Sequence, residues 1–338
     1  MQQTSSLPLP VLQLSQWHRG GLARQQFIQE LGRAARDYGF FYLTEHGIDA
    51  KTQQQVMATT QAFFRLPMAA KQQVSMLHSP HFRGYTQVGG ELTNGLADQR
   101  EQFDLMQEDA VITNPRHDWQ QIIGPNQWPT ALPEMRAQML DWQQQLTTIS
   151  TVLLEAFACA LQQPPSVFAD SLGAQPYTHM KLIRYPKRQQ AAQSQGVGAH
   201  KDPGYLTLVM QDHASGLEVA YQDRWLAVVP LPGAFVVNIG ELLELASDGY
   251  LKATYHRVVS PEHAEERFSN AFFMAARLDA EVPLLELPPA LKAQAQGPAS
   301  DPANPLFRQV GKTSLKVVRA RTLKWRSATT LHSRLSLV

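Results

Sequence analysis

The sequence predicts an α+β fold, with helices in the N-terminal part flanking a β-sandwich or barrel. Three observations predict it. Apolar residues recur at helical spacing through the first half of the chain. From Tyr177 the period changes to two, over short strands split by Gly, Pro, Asp or Ser turns. The chain has 338 residues, 43% of them hydrophobic, which is enough for one large shared core. The expected layout is a helical and strand region over 1–130 packed on the core, a long supporting helix over 131–170, the β-rich core over 171–285, and a C-terminal loop and basic tail over 286–338.

The helices come first. "RQQFIQELGRAARDYG" spaces Phe27, Ile28, Leu31, Ala34, Ala35 and Tyr38 on one face, and Gly39 sits where a C-terminal cap belongs. "FFYLTEHGI" reads as a short buried strand. A second helix covers Lys51 to Arg65, with Val56, Met57, Phe63 and Phe64 on one face, and Pro67 ends it. A third runs from Pro133 to Gln162, between prolines that suit a start and a stop. The irregular stretch His78 to Trp128 lies between the second and third helices. Long connections of this kind are often functional.

The strands follow: "HMKLIRY", "YLTLVMQ", "LEVAYQ", "WLAVVP", "AFVVNIG", "ATYHRVV" and "RFSNAFFMAARL", with no helix expected between them. "GVGAH", just before the second of these, reads as a loop. From Pro302 onward the tail holds Arg308, Lys312, Lys316, Arg319, Arg321, Lys324, Arg326 and Arg334 and no acid. It reads as a solvated helix face, with an anion-facing lid or interface as the sharper alternative.

Charge and cysteine exclude some classes. The formal net charge of +1 leaves no global footprint for nucleic acid. The single Cys159 excludes an intrachain disulfide and fits a reducing, cytoplasmic setting; it lies in an apolar run and reads as a buried structural thiol. The N-terminus lacks the basic lead and apolar core of a secretory signal, and no apolar run approaches the roughly 18 residues of a membrane span. The partner expected is a small molecule, with no nucleic acid and no membrane. Nothing in the sequence sets the oligomeric state.

The chemistry starts at His200-Lys201-Asp202. In an extended chain residues i and i+2 point to the same side, so this imidazole and carboxylate can share one metal ion. Two ligands are too few. His256, in the strand "ATYHRVV", is the best third. Two His and one carboxylate on one face of a metal leave three positions open, the arrangement of non-haem Fe(II) oxygenases. A lone H-x-D is common, and Asp202 before Pro203-Gly204 also reads as a turn residue. The next element adds weight. Arg267-Phe268-Ser269 places a guanidinium and a hydroxyl on one side of a buried strand, where an Arg needs an anionic partner. A guanidinium fork plus a hydroxyl suits a carboxylate. Triad and clamp together ask for a ligand that chelates at one end and carries an acid at the other, as 2-oxoglutarate does.

At these residues the sequence resembles the isopenicillin N synthase-like branch of the 2-oxoglutarate/Fe(II)-dependent dioxygenases. "DYGFFYLTEHGI", "FRGYTQVGGE", "DQREQFDL", "HKD", "GAFVVNIGELLELASDGYLKATYHRVV" and "RFSNAFF" carry the likeness, which covers most of the chain. It implies a double-stranded β-helix, or jelly-roll, core. It implies His200, Asp202 and His256 as catalytic iron ligands, and Arg267, Ser269 and Tyr185 as contacts to 2-oxoglutarate. Ile183 stands where many members have Asn. The implied activity is an enzymatic C–H oxidation, a hydroxylation or desaturation, that uses O2 and releases succinate and CO2. Ascorbate is the expected reductant in vitro. Phe82, Arg83, Tyr85, Arg184 and Tyr205 are expected near the substrate, and the two arginines would favour an anionic one.

Other readings keep the same residues. Isopenicillin N synthase has the triad and an R-x-S yet uses no 2-oxoglutarate. The ethylene/succinate-forming enzyme is similar over "THMKLIRYP" and "AHKDPG", but Lys181 stands where it has Arg, and that exchange is not neutral for bidentate contacts. A non-catalytic 2-oxoglutarate sensor and a metal-dependent hydrolase or isomerase of cupin-like build complete the alternatives.

Overall fold

The structure, a computed structural model, describes residues 9–188, 195–262, 264–298 and 306–321. Two sheets face each other. The larger has eight strands in the order β1 (Val11–Gln13), β2 (Phe40–Thr44), β12 (Phe235–Ile239), β9 (Leu206–Gln211), β14 (Glu266–Met274), β7 (Thr178–Pro186), β6 (Glu101–Met106) and β3 (Gly84–Thr86). The smaller orders β11 (Arg224–Ala227), β10 (Leu217–Tyr221), β13 (His256–Val259) and β8 (Gln195–His200). A two-residue ribbon, β4 (Leu92–Thr93) with β5 (Leu96–Ala97), stands apart. Residues of both sheets pack into one inner layer, among them Ile183, Tyr185, Val236 and Ala271 against Val197, Val219 and Val258. This is the jelly-roll sandwich, with helices added on one side.

The three long helices lie close to where their periodicity puts them. Gly21–Asp37 buries Phe27, Leu31, Ala34 and Ala35, and the chain turns at Gly39 with φ 69°. Ala50–Arg65 starts on Asp49, whose carboxylate accepts from the Thr52 N–H. Met135–Ala160 buries twelve side chains, including Trp142, Leu153 and Phe157, and backs the larger sheet. A single apolar cluster runs from Leu12 to Val318, so the N-terminal and C-terminal parts share a core.

Several expectations need correction. The N-terminal region does more than pack on the core: it supplies β1, β2, β3 and β6 to the larger sheet. β6 is buried along its whole length within the stretch that reads as irregular, because its polar Glu101, Gln102 and Asp104 hide it from a hydrophobic pattern. "GVGAH" is a strand, β8, not a loop. Its glycines make room for neighbours: a Cβ at Gly196 would lie 2.9 Å from both the Tyr185 ring and the Val258 carbonyl oxygen. A short helix, Glu241–Ala246, interrupts the expected run of strands. Cys159 is half-buried rather than enclosed. The basic tail begins as the helix Val310–Arg321, which buries Val310, Thr313, Leu315 and Val318 instead of lying wholly in solvent. Lys324, Arg326 and Arg334 lie outside the described residues.

Candidate metal centre

His200 ends β8 and His256 begins β13, and the two are direct partners across that antiparallel pair. Their rings lie 4.3 Å apart between centroids. Asp202 follows β8 by two residues. Its Oδ1 is 3.5 Å from His200 Nε2 and 3.7 Å from His256 Nε2. All three ligand atoms fall within 4.8 Å of one another.

Each ligand is oriented from behind. His200 Nδ1 lies 2.8 Å from the Gly198 carbonyl and His256 Nδ1 lies 3.2 Å from the Thr254 carbonyl. A carbonyl can only accept, so each Nδ1 carries the proton and each Nε2 keeps its lone pair for the centre. Asp202 Oδ2 accepts from Thr207 Oγ1 at 2.6 Å and from Asn238 Nδ2 at 2.9 Å. Its other oxygen, Oδ1, is buried with no hydrogen-bond donor. Burial opposes ionisation of this carboxyl, and the hydrogen bonds that Oδ2 accepts from Thr207 and Asn238 favour it. An ionised oxygen left without a donor between two imidazole lone pairs fits a divalent cation.

The loop that carries Asp202 is clamped to the start of the short helix. The Glu241 N–H donates to Asp202 O at 2.7 Å, and the Leu242 N–H donates to Gly204 O at 3.1 Å. Gly240 sits so close to the Gly204 backbone that a Cβ there would collide with it. Lys201 turns to the opposite side and meets Glu244 at 3.3 Å.

Two cavities border the centre. The first lies between the sheets and is lined by His200, His256, Tyr185, Arg267 and Ser269, among others. Arg267 and Tyr185 are register partners on β14 and β7, and the guanidinium lies 5.0 Å over the Tyr185 ring. Arg267 donates to Gln211 Oε1 at 2.9 Å and to Ser269 Oγ at 3.4 Å, while its Nε has no partner. It is 1% exposed, and among the described residues no carboxylate lies within ion-pair distance. Ile183 contributes an apolar wall between Lys181 and Tyr185.

The second cavity is lined by Phe82, Tyr177, His179, Phe273 and Met274 from the sandwich side, and by Ser314, Val317 and Val318 from the C-terminal helix. Asp202, Lys181 and Phe273 border both cavities.

Of the five residues expected near substrate, only Phe82 lines a cavity at the centre. Arg83 is buried elsewhere, donating to the His81 and Gly124 carbonyls, and burial pushes its guanidinium down to about 10. The Tyr85 hydroxyl donates to Glu101 at 2.6 Å. Arg184 is taken up by Glu101 at 2.6 Å and Glu266 at 2.7 Å. Tyr205 is a fully buried core residue against Phe168, with its hydroxyl 3.3 Å from Ser171. Arg184 fails because side chains alternate along a strand. On β7 and the residue just before it, Tyr177, His179, Lys181, Ile183 and Tyr185 face the cavities while Met180 and Leu182 face the helices, and Arg184 falls with the latter. The same alternation exposes what sequence reasoning missed, His179 and Lys181.

The comparisons agree with this geometry. Residues 177–276 match the 2OG-Fe(II) oxygenase superfamily, and residues 9–131 match the N-terminal region described for non-haem dioxygenases in morphine synthesis. The chain is similar to a homoarginine-6-hydroxylase of Arabidopsis thaliana, 34% identical over 78% of this chain and 80% of that one. Among solved structures, a 2OG-Fe(II) oxygenase family protein of Caulobacter crescentus superposes with a TM-score of 0.74 at 26% identity, covering 93% of this chain and all of the other. A full-length Neurospora crassa protein solved in complex with alpha-KG and thymine has the same fold, with a TM-score of 0.74 at 23% identity over 94% and 98% of the two chains. This chain belongs to the 2-oxoglutarate/Fe(II)-dependent oxygenase superfamily.

Proposed function

We propose that His200, Asp202 and His256 hold Fe(II), that Arg267, Ser269 and Tyr185 hold the distal carboxylate of 2-oxoglutarate, and that the enzyme hydroxylates a small molecule seated in the second cavity. When bound, the iron and 2-oxoglutarate supply O2 activation coupled to release of succinate and CO2. The protein's own residues do the positioning. The Gly198 and Thr254 carbonyls aim the imidazoles, Thr207 and Asn238 hold one oxygen of Asp202, and Arg267 anchors the co-substrate remote from the reacting end.

The observation that carries this reading is Arg267. A guanidinium that is 1% exposed, with no acid within ion-pair distance among the described residues, in a cavity shared with a His-Asp-His set, asks for a small carboxylate. Hydroxylation is favoured over desaturation because the relatives include hydroxylases. Placement in the isopenicillin N synthase-like branch and a reducing, cytoplasmic setting remain part of the proposal. The single cysteine supports the setting. The case for an anionic substrate weakens with Arg83 and Arg184, which are spent on the fold. Among the described residues the cation at the second cavity is Lys181, already paired with Asp104 at 2.9 Å and Glu91 at 3.2 Å.

Anaerobic addition of Fe(II) and 2-oxoglutarate should produce the charge-transfer absorbance of a chelated iron, and admission of O2 with ascorbate should yield succinate. Absence of the absorbance with wild-type protein overturns the reading. Oxygen consumption without 2-oxoglutarate would instead indicate an oxidase of the isopenicillin N synthase type.

A further inference from the structure

The second cavity has an apolar wall and few polar atoms. Phe82, Phe273, Met274, Val317 and Val318 supply the wall. Against it stands His179, held on three sides. Its ring lies edge-on to Phe82 at 6.1 Å and tilted against Phe273 at 5.6 Å. Its Nε2 lies 2.7 Å from Asp104 Oδ1.

Asp104 decides which nitrogen carries the proton. This carboxyl is fully buried, pairs with Lys181 at 2.9 Å and accepts from Gln102 Nε2 at 2.6 Å. Burial opposes its ionisation, but Lys181 and His179 outweigh it and hold it well below the usual carboxylate range. An ionised carboxylate can only accept, so Nε2 of His179 is the protonated nitrogen. Burial also lowers His179, which keeps the ring neutral. Nδ1 is then a lone-pair acceptor, and among the described residues it has no hydrogen-bond partner. Lys181 locks the arrangement from the neighbouring β7 position, where it also pairs with Glu91 at 3.2 Å.

We propose that His179, held by Asp104, sets the specificity of the substrate cavity: Nδ1 accepts a hydrogen bond from an N–H or O–H group on a small, otherwise apolar substrate. The inference rests on the iron and 2-oxoglutarate reading above. A site built to accept a hydrogen bond discriminates strongly against analogues that lack the donor, because its own polar atom is then left unpaired.

The test uses probe pairs: thymine with 1,3-dimethylthymine, and an alkyl amine with its quaternary ammonium form. Two quantities are read. The anaerobic charge-transfer absorbance reports iron and co-substrate loading. The KM and kcat for probe-stimulated succinate release report substrate seating. The expected result is stimulation of the wild type by a donor-bearing member and loss of it on methylation. His179→Phe should raise the KM for that probe about tenfold or more while the absorbance persists. His179→Asn, which can return an acceptor near the Nδ1 position, should recover part of the loss. Asp104→Asn provides an independent variant. Its amide can donate to Nε2, drive the proton to Nδ1 and turn the acceptor into a donor, so preference for donor probes should fall. A wild type that responds equally to capped probes, or to neither member of any pair, overturns the proposal. So does a His179→Phe variant with an unchanged KM. Loss of the absorbance in the wild type would instead remove the iron and 2-oxoglutarate reading itself.

Discussion

The two cavities share Lys181, Asp202 and Phe273 and differ in almost everything else. The first is walled by facing strands of the sandwich: β7, β9 and β14 on one side, β8, β10 and β13 on the other. The second borrows a wall from the far end of the chain, the helix Val310–Arg321, together with Phe82 from the N-terminal region. Most of the strand walls are fixed by register on both edges, β8 on one edge only, whereas the helix is held by packing of side chains such as Val310, Leu315 and Val318 and by backbone hydrogen bonds at its first turn, from Val310 to Ala280 and from Gly311 to Leu278. A fixed co-substrate can use the first kind of wall. A substrate that varies between relatives suits the second.

The largest effect should come from the imidazoles of the metal centre, which line the first cavity. His200→Ala or His256→Ala should abolish succinate release and the anaerobic charge-transfer absorbance. Retention of both in either variant would separate the His-Asp-His cluster from the chemistry. Next is the co-substrate side. Arg267→Lys keeps the charge but loses the planar fork, so the KM for 2-oxoglutarate should rise by about 10–100-fold. A KM within a factor of two of wild type would show that the anchor lies elsewhere.

On the helical wall, Val318→Ala removes a side chain that is 4% exposed. It should cost about 1–2 kcal/mol of stability in urea titrations and weaken substrate seating more than 2-oxoglutarate seating. An equal loss on both sides would erase the contrast between the cavities. The smallest effect lies in the network behind β6. Burial opposes ionisation of Glu101, but hydrogen bonds from Lys71, Tyr85 and Arg184 outweigh it and lower its folded pKa. A depressed folded pKa stabilises above the ordinary carboxylate value of about 4.3, and that share is lost as pH falls below it. Urea midpoints compared at pH 7 and pH 3 should therefore fall less for Glu101→Gln than for wild type.

The co-substrate side was also the more legible. His200 with Asp202 and Arg267 with Ser269 stand out because period-two spacing places each pair on one side of an extended chain, and His256 because two ligands need a third. Tyr185 came from resemblance, and the structure sets it against Arg267. The substrate side resisted for a physical reason. A cavity wall made by Ser314 and Val317, far along the chain from Asp202, leaves no local periodicity to read. Arg83 and Arg184 were expected near the mouth as cations for an anionic substrate, and in the structure their partners are backbone carbonyls and internal acids. In the fold, the helices were legible from their apolar faces. β6 and β8 were not, since one is strewn with acids and amides and the other with glycines.

The position of β2 has a consequence for how the chain acquires its shape. This strand lies between β1 and β12, with Phe40 opposite Asn238, so its inner edge waits for a partner synthesised long after it. β9, too, reaches its partner β14 only after β10 to β13 have been made. Such distant pairings must close large loops before they bring any reward, which makes folding slow relative to a helical protein of similar size. During synthesis the apolar β2 segment, Phe40-Phe41-Tyr42-Leu43, has an unpaired edge until residue 239 has emerged, and in that interval it is open to pairing with another chain.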